Sequence, residues 1–257
     1  MQFPKSTGAL LGVLLALTPV AALAEATDIT VRVLSRDAKF IGSSMDGVRI
    51  TLSDAETGEA LATGVTSGGT GDTAKIMHDD RGRRARLADD SAAAFRTTLD
   101  LERPRRIEVT AHGPLSDPQA ANTVTATQWV VPGRHLSGGD GWVLEMPGFV
   151  VDVLAPGEHT RLAGGAGPVE VRASVTMMCG CPIKPGGLWD ADRYEVAMTV
   201  LHDGERMGEV ELDYAGETSR FAGRVPIDGS GVYEVIVHAH DPETGNTGVD
   251  RTTFVVE

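Results

Sequence analysis

Period-two alternation of apolar and polar residues runs along nearly the whole chain, and it confines the fold to half-buried strands. ITVRVLS (29–35), GVRITLS (47–53), FRTTLDL (95–101) and RIEVTAH (106–112) each place branched or aromatic residues on one face and polar residues on the other. DAETGEA, TSGGTGDT, LERP and HGPLSDP lie between them and have turn compositions. The pattern continues in FVVDVLA (149–155), VEVRASVTM (169–177), YEVAMTVLH (194–202), GEVELDY (208–214), SRFAGRVP (219–226), VYEVIVHAH (232–240) and VDRTTFVV (249–256). Only RARLADDSAAAF (84–95) predicts a helical turn or two. VVPGRHLSGGDGWVLEMPG (130–148), rich in Gly and Pro, reads as an edge excursion leading to a boundary. The expected fold is all-β: two tandem β-sandwich domains, residues 25–148 and 149–257, joined near residues 145 to 155.

The first 24 residues have a different character. Lys5, the apolar run GALLGVLLAL, Thr18-Pro19 and the small triplet Ala22-Leu23-Ala24 form a signal peptide, with cleavage expected before Glu25. The mature chain is expected to be soluble and periplasmic or secreted, without membrane insertion, since no later stretch approaches the ~20 apolar residues of a spanning helix. A net charge of −13 argues against nucleic acid or anionic lipid as partner. With 2 cysteines the chain is no disulfide scaffold, and its core must come from Val, Leu, Ile and Ala.

Two stretches carry family resemblances. GVRITLSDAETGEALATGVT (47–66) resembles the small seven-stranded modules of the carboxypeptidase-regulatory or prealbumin type, over roughly residues 27 to 112. DGSGVYEVIV (228–237) resembles the tyrosine corner of secreted bacterial immunoglobulin-like β-sandwiches, over about the last 105 residues. That resemblance implies that Tyr233 is the corner tyrosine and that Val235 replaces the usual strand-F cysteine. It also implies that strand B, VEVRASVTM, and strand F, VYEVIVHAH, run toward the same end of the sandwich.

Both cysteines sit in MMCGCPIKPGG (177–187), at the expected end of strand B. His238 and His240 end strand F, together on the face opposite Tyr233, Val235, Val237 and Ala239. If the two strand ends share a rim, Cys179, Cys181, His238 and His240 form a candidate metal site, with Met178 as a further soft donor. Met177 continues the inward series Val169, Val171, Ala173, Val175 and reads as core. Thiolate, thioether and imidazole together favour copper, especially Cu(I), while two thiolates with two imidazoles suit zinc equally well. The competing reading is a local disulfide, which Gly180 would permit and an oxidising compartment would favour. A redox shuttle lacks the C-x-x-C motif and βαβ pattern that would accompany it.

Other chemistry finds less support. GGTGDTAK lacks the spacing of a phosphate loop, and no G-x-S-x-G elbow is present. His78, Asp79 and Asp80 in HDDRGRR read as a solvated turn, DPETGNTG (241–248) as a hairpin, and His112, His135, His159 and His202 as surface histidines. Trp189 and Asp190 are positioned to shield the rim. The sequence therefore points to an exported copper carrier or buffer; an enzymatic reading would need a bound metal with an open position. The alternative is a structural or interaction module, held by a Cys179–Cys181 bridge and presenting loops to a protein or carbohydrate partner.

Overall fold

The computed structural model describes residues 23–78, 82, 85–164 and 167–257. Residues 1–22, most of the expected signal peptide, and Asp79 and Asp80 lie outside the described residues. Among the described residues nearly all of the regular structure is strand, and the one α-helix, α1 (Thr73–Met77), is 5 residues long. No described helix is long and apolar enough to cross a membrane.

The N-terminal half is a sandwich of two sheets. β1 (Glu25–Ser35), β4 (Phe95–Leu101) and β7 (Trp142–Met146) form one, in the order β4-β1-β7. β2 (Arg49–Asp54), β3 (Ala60–Val65), β5 (Arg105–Gly113) and β6 (Asn122–Val130) form the other, in the order β3-β2-β5-β6. The alternation seen in the sequence is the burial pattern. In β5, Ile107, Val109 and Ala111 are fully buried, while Arg106, Glu108, Thr110 and His112 point outward. The seven strands span Glu25–Met146, well beyond the 27 to 112 that the prealbumin-like resemblance implies.

Two local expectations are corrected. Residues 85–95 carry no helix. Their backbone donors are taken elsewhere: Leu87 and Ala88 N–H donate to the Asp140 carboxylate at 2.9 and 2.8 Å, Ala93 N–H to Gly69 O at 2.8 Å and Ala94 N–H to Ser67 O at 3.0 Å. The segment lies extended, its alanines buried around Phe40, because tertiary burial outweighs alanine's helix preference. The excursion at 130–148 is in part a strand, since β7 pairs in parallel with β1, Val31 opposite Trp142 through Ser35 opposite Met146.

The C-terminal half is a second sandwich. β8 (Phe149–Ala155), β10 (Val169–Met177), β13 (Asp213–Tyr214) and β14 (Arg220–Val225) form a sheet in the order β13-β14-β10-β8. β9 (Thr160–Leu162), β11 (Glu195–His202), β12 (Glu205–Glu211), β15 (Gly231–His240) and β16 (Thr247–Val256) form the facing sheet, in the order β12-β11-β15-β16-β9. With β8, β10, β14 and β13 as strands A, B, E and D, and β11, β15 and β16 as C, F and G, this is the immunoglobulin strand order. The tyrosine corner is present: Asp228 N–H donates to Tyr233 Oη at 2.9 Å, and Tyr233 Oη donates to Gly229 O at 3.1 Å. The fully buried ring stacks between His202, at 4.4 Å, and Phe254, at 5.3 Å.

No ladder pairs a strand of one half with a strand of the other among the described residues, yet one apolar cluster runs through both. At the junction the strand F–G loop reaches back. Fully buried Asn246 accepts from Gly148 N–H in the connector at 3.0 Å and donates to Arg36 O of the first sandwich at 3.3 Å. Trp189 Nε1 donates to Asp37 O at 2.9 Å, and Arg193 pairs with Asp37 at 3.6 Å and Glu243 at 2.8 Å.

Removing the corner hydroxyl by Tyr233→Phe leaves Asp228 N–H without its acceptor. The loss is expected to cost roughly 1–3 kcal/mol, read as a lower denaturant midpoint with an unchanged slope. A second test concerns Asp152, whose pKa is raised by burial and then by the neighbouring carboxylates of Asp250 and Asp117. A raised carboxylate pKa means that the folded chain binds the proton more tightly than the unfolded chain. The stability it contributes is present below the ordinary Asp value near ~3.9 and is lost as pH rises through the folded value. Asp152→Asn should therefore raise Tm at pH 7, and the difference should vanish toward pH 3.

A candidate soft-metal site at the junction of the sandwiches

The Cys-Gly-Cys segment forms a tight turn directly after β10. Gly180 N–H donates to Met177 O at 2.7 Å, and Met177 N–H donates to Cys181 O of the returning chain at 3.1 Å. Gly180 holds φ at +76°, in the left-handed region where a side chain is strained. The turn brings the Cys179 and Cys181 sulfurs to 2.7 Å, both as free thiols, 1% and 5% exposed.

The first sandwich covers this turn. A Cβ on Gly180 would lie 2.5 Å from Met45 Sδ, so the Met45 thioether rests against the residue between the two thiols. Lys39 N–H donates to Cys179 Sγ, and the Lys39 ammonium, held by Thr73 Oγ1 at 3.0 Å, adds positive charge. Burial pushes the Cys179 thiol up. The hydrogen bond shared with Cys181 Sγ, the N–H groups of Lys39 and Cys181 and the Lys39 charge outweigh burial, so Cys179 titrates below an ordinary thiol. Cys181 moves the opposite way, raised by its hydrogen bond to Cys179, then by burial, then by the Cys179 charge. The two thiols therefore titrate as a pair, with Cys179 the more acidic of the two.

The remaining candidates divide. The ends of β10 and β15 do lie at one rim, both facing the first sandwich, as the Cys179 contact with Lys39 and the Asn246 contact with Arg36 show. The histidines nevertheless stand apart from the thiols. Val237 and Ala239 turn into the core with no exposure, so His238 and His240 occupy the outer face of the β11-β15 sheet, while the cysteines turn inward under Met45. His240 Nδ1 meets Glu195 Oε2 at 2.9 Å, and His238 lines an outer cleft with Glu195, Glu209 and Glu211. Among the described residues no group of three or more His, Cys, Asp and Glu is placed to hold an ion. Met178 is fully buried with its sulfur toward Gly148, 3.2 Å from where that residue's Cβ would stand. Met177 is buried in the core, as its inward phase predicts.

Trp189 does shield the rim, 6% exposed and bonded across it to Asp37, whereas Asp190 caps the 3-10 turn Ala191–Arg193. Sequence reasoning missed Met45 and Lys39. They lie more than a hundred residues from the cysteines, in a segment whose local pattern is loop, and no spacing rule connects the two stretches.

No family model matches the sequence, and no curated protein matches it. Several solved structures overlap it. An engineered protein shares 18% identity over 50% of this chain at a TM-score of 0.32, and the chain covers 24% of that protein's length. The fibronectin(III)-like modules of Clostridium thermocellum CbhA share 19% identity over 42% of this chain and 96% of theirs, at 0.27. The titin Ig tandem domains share 10% identity over 91% of this chain and 90% of theirs, at 0.24. The fold assignment rests on strand order and the tyrosine corner.

Gly180→Ala tests how tightly the turn is held. A left-handed alanine costs about 1–2 kcal/mol by itself, and its methyl must also displace Met45. Urea denaturation of the reduced protein should show at least that loss.

Proposed function

We propose that this chain is an exported copper-binding protein, a carrier or buffer that takes Cu(I) between Cys179 and Cys181. The observation that carries the reading is the buried pair itself: two sulfurs 2.7 Å apart in a turn covered by the first sandwich, with the Cys179 thiol made more acidic than usual. A thiolate, and not a thiol, is the metal ligand, and soft sulfur donors select Cu(I) over harder ions. Zinc fits less well, because a structural zinc needs four donors and no carboxylate or imidazole joins the thiols among the described residues. Holding an ion requires the sulfurs to part to roughly 4 Å, given metal–sulfur bonds of ~2.3 Å, and side-chain rotation at either cysteine supplies that movement. His238 and His240 stand outside this ligand set.

A second reading is a structural or interaction module in which the same cysteines are joined. The short sulfur separation favours it, and so does the oxidising compartment expected of an exported chain.

Anaerobic competition with a chromogenic Cu(I) chelator separates the two. The reduced protein should take one Cu(I), Cys179→Ser and Cys181→Ser should abolish competition, and His238→Ala should match the parent protein. Absence of Cu(I) uptake by the reduced parent, with a non-reduced peptide lighter by two hydrogens, would establish the second reading instead.

A further inference from the structure

Resting on the reading that Cys179 and Cys181 hold Cu(I), we propose that Met45 supplies the third sulfur, so that the ion sits in a joint between the two sandwiches and its binding fastens them together. Three observations carry this. Met45 Sδ lies against Gly180, the one residue between the two thiols, and its own residue is 9% exposed. Its backbone is fixed, with Met45 N–H donating to Gly42 O at 3.0 Å and Ser116 N–H donating to Met45 O at 3.2 Å. The other methionines near the turn are directed elsewhere, Met178 toward Gly148 and Met177 into the core.

Cu(I) displaces the remaining thiol proton to solvent, and two thiolates with one neutral thioether then make a three-sulfur set suited to it, with a net charge of minus one on the loaded site. The Lys39 ammonium is the nearby positive charge that offsets it, and Lys39 belongs to the same sandwich as Met45. Donors thus come from residues 45 and 179–181, on opposite sides of the Pro147–Gly148 connector. An ion held from both sides binds the docked arrangement better than an undocked one, so it must stabilise docking by the same factor by which docking stabilises it. The junction already contains the Trp189–Asp37 and Asn246–Arg36 hydrogen bonds, and the ion adds a fastening that depends on copper supply.

The test uses the full mature chain and Cu(I) alone. Met45→Leu conserves volume and should fold. It is expected to weaken Cu(I) affinity at least about tenfold and to reduce the Cu(I)-induced rise in Tm by the matching amount. X-ray absorption should count three sulfurs on copper in the parent and two in the variant. Met178→Leu is the control and should leave affinity and sulfur count unchanged. A parent-like affinity in Met45→Leu, or only two sulfurs in the parent, overturns the joint while leaving the dithiolate site standing. Failure of the reduced parent to bind Cu(I) at all overturns the copper reading itself, and the joint with it.

Discussion

Burial of the Met177–Cys181 turn beneath Met45 and Lys39 is the contact on which the arrangement of the two halves depends. Among the described residues no strand ladder crosses the connector, and side-chain packing with a few directed hydrogen bonds fixes one sandwich on the other. Packing of this kind tolerates no gap and no excess, because interiors are close to crystal density. Gly180 shows the consequence: the backbone takes a left-handed conformation there, and the space a Cβ would fill belongs to a methionine of the other half.

At the junction Asn246 uses both its donor and its acceptor, while the buried Tyr194 Oη makes no hydrogen bond among the described residues. The strand F–G loop repeats the turn chemistry of the β2–β3 hairpin. In both, an aspartate carboxylate, Asp54 or Asp241, accepts from the backbone N–H two residues on, and the glycine four residues on donates to the aspartate carbonyl. The sixth residue differs. Glu59 pairs with Arg105 at the surface, while Asn246 turns inward and bonds both the connector and Arg36. The turns also differ at the second residue, Ala55 against Pro242, but it is the inward Asn246 that makes the F–G loop a docking element, since a buried amide must use its donor and acceptor.

Electrostatics at the thiols follows from the same burial. In water neither cysteine would be distinguished. Under Met45, a donor from Lys39 and one from within the turn fall on Cys179, while Cys181 is left to give its proton. Against burial, the hydrogen bond with Cys181 lowers the Cys179 pKa most, and Lys39 of the first sandwich adds its N–H and its charge.

The sequence by itself determined the strands, because a period of two is a local property and burial on one face selects it. Nearly every alternating stretch it predicted is a strand, and Tyr233 announced its corner. It also contained the separation of the histidines from the thiols, since the alternation that joins His238 to His240 points both away from Val237 and Ala239. The tertiary structure alone decided the extended course of residues 85–95, where Asp140 and residues 67–69 take the backbone donors that a helix would have used. It alone brought Met45 and Lys39 to the cysteines. Contacts between residues so distant in sequence are set by how two finished sandwiches dock, and no periodicity within either records it.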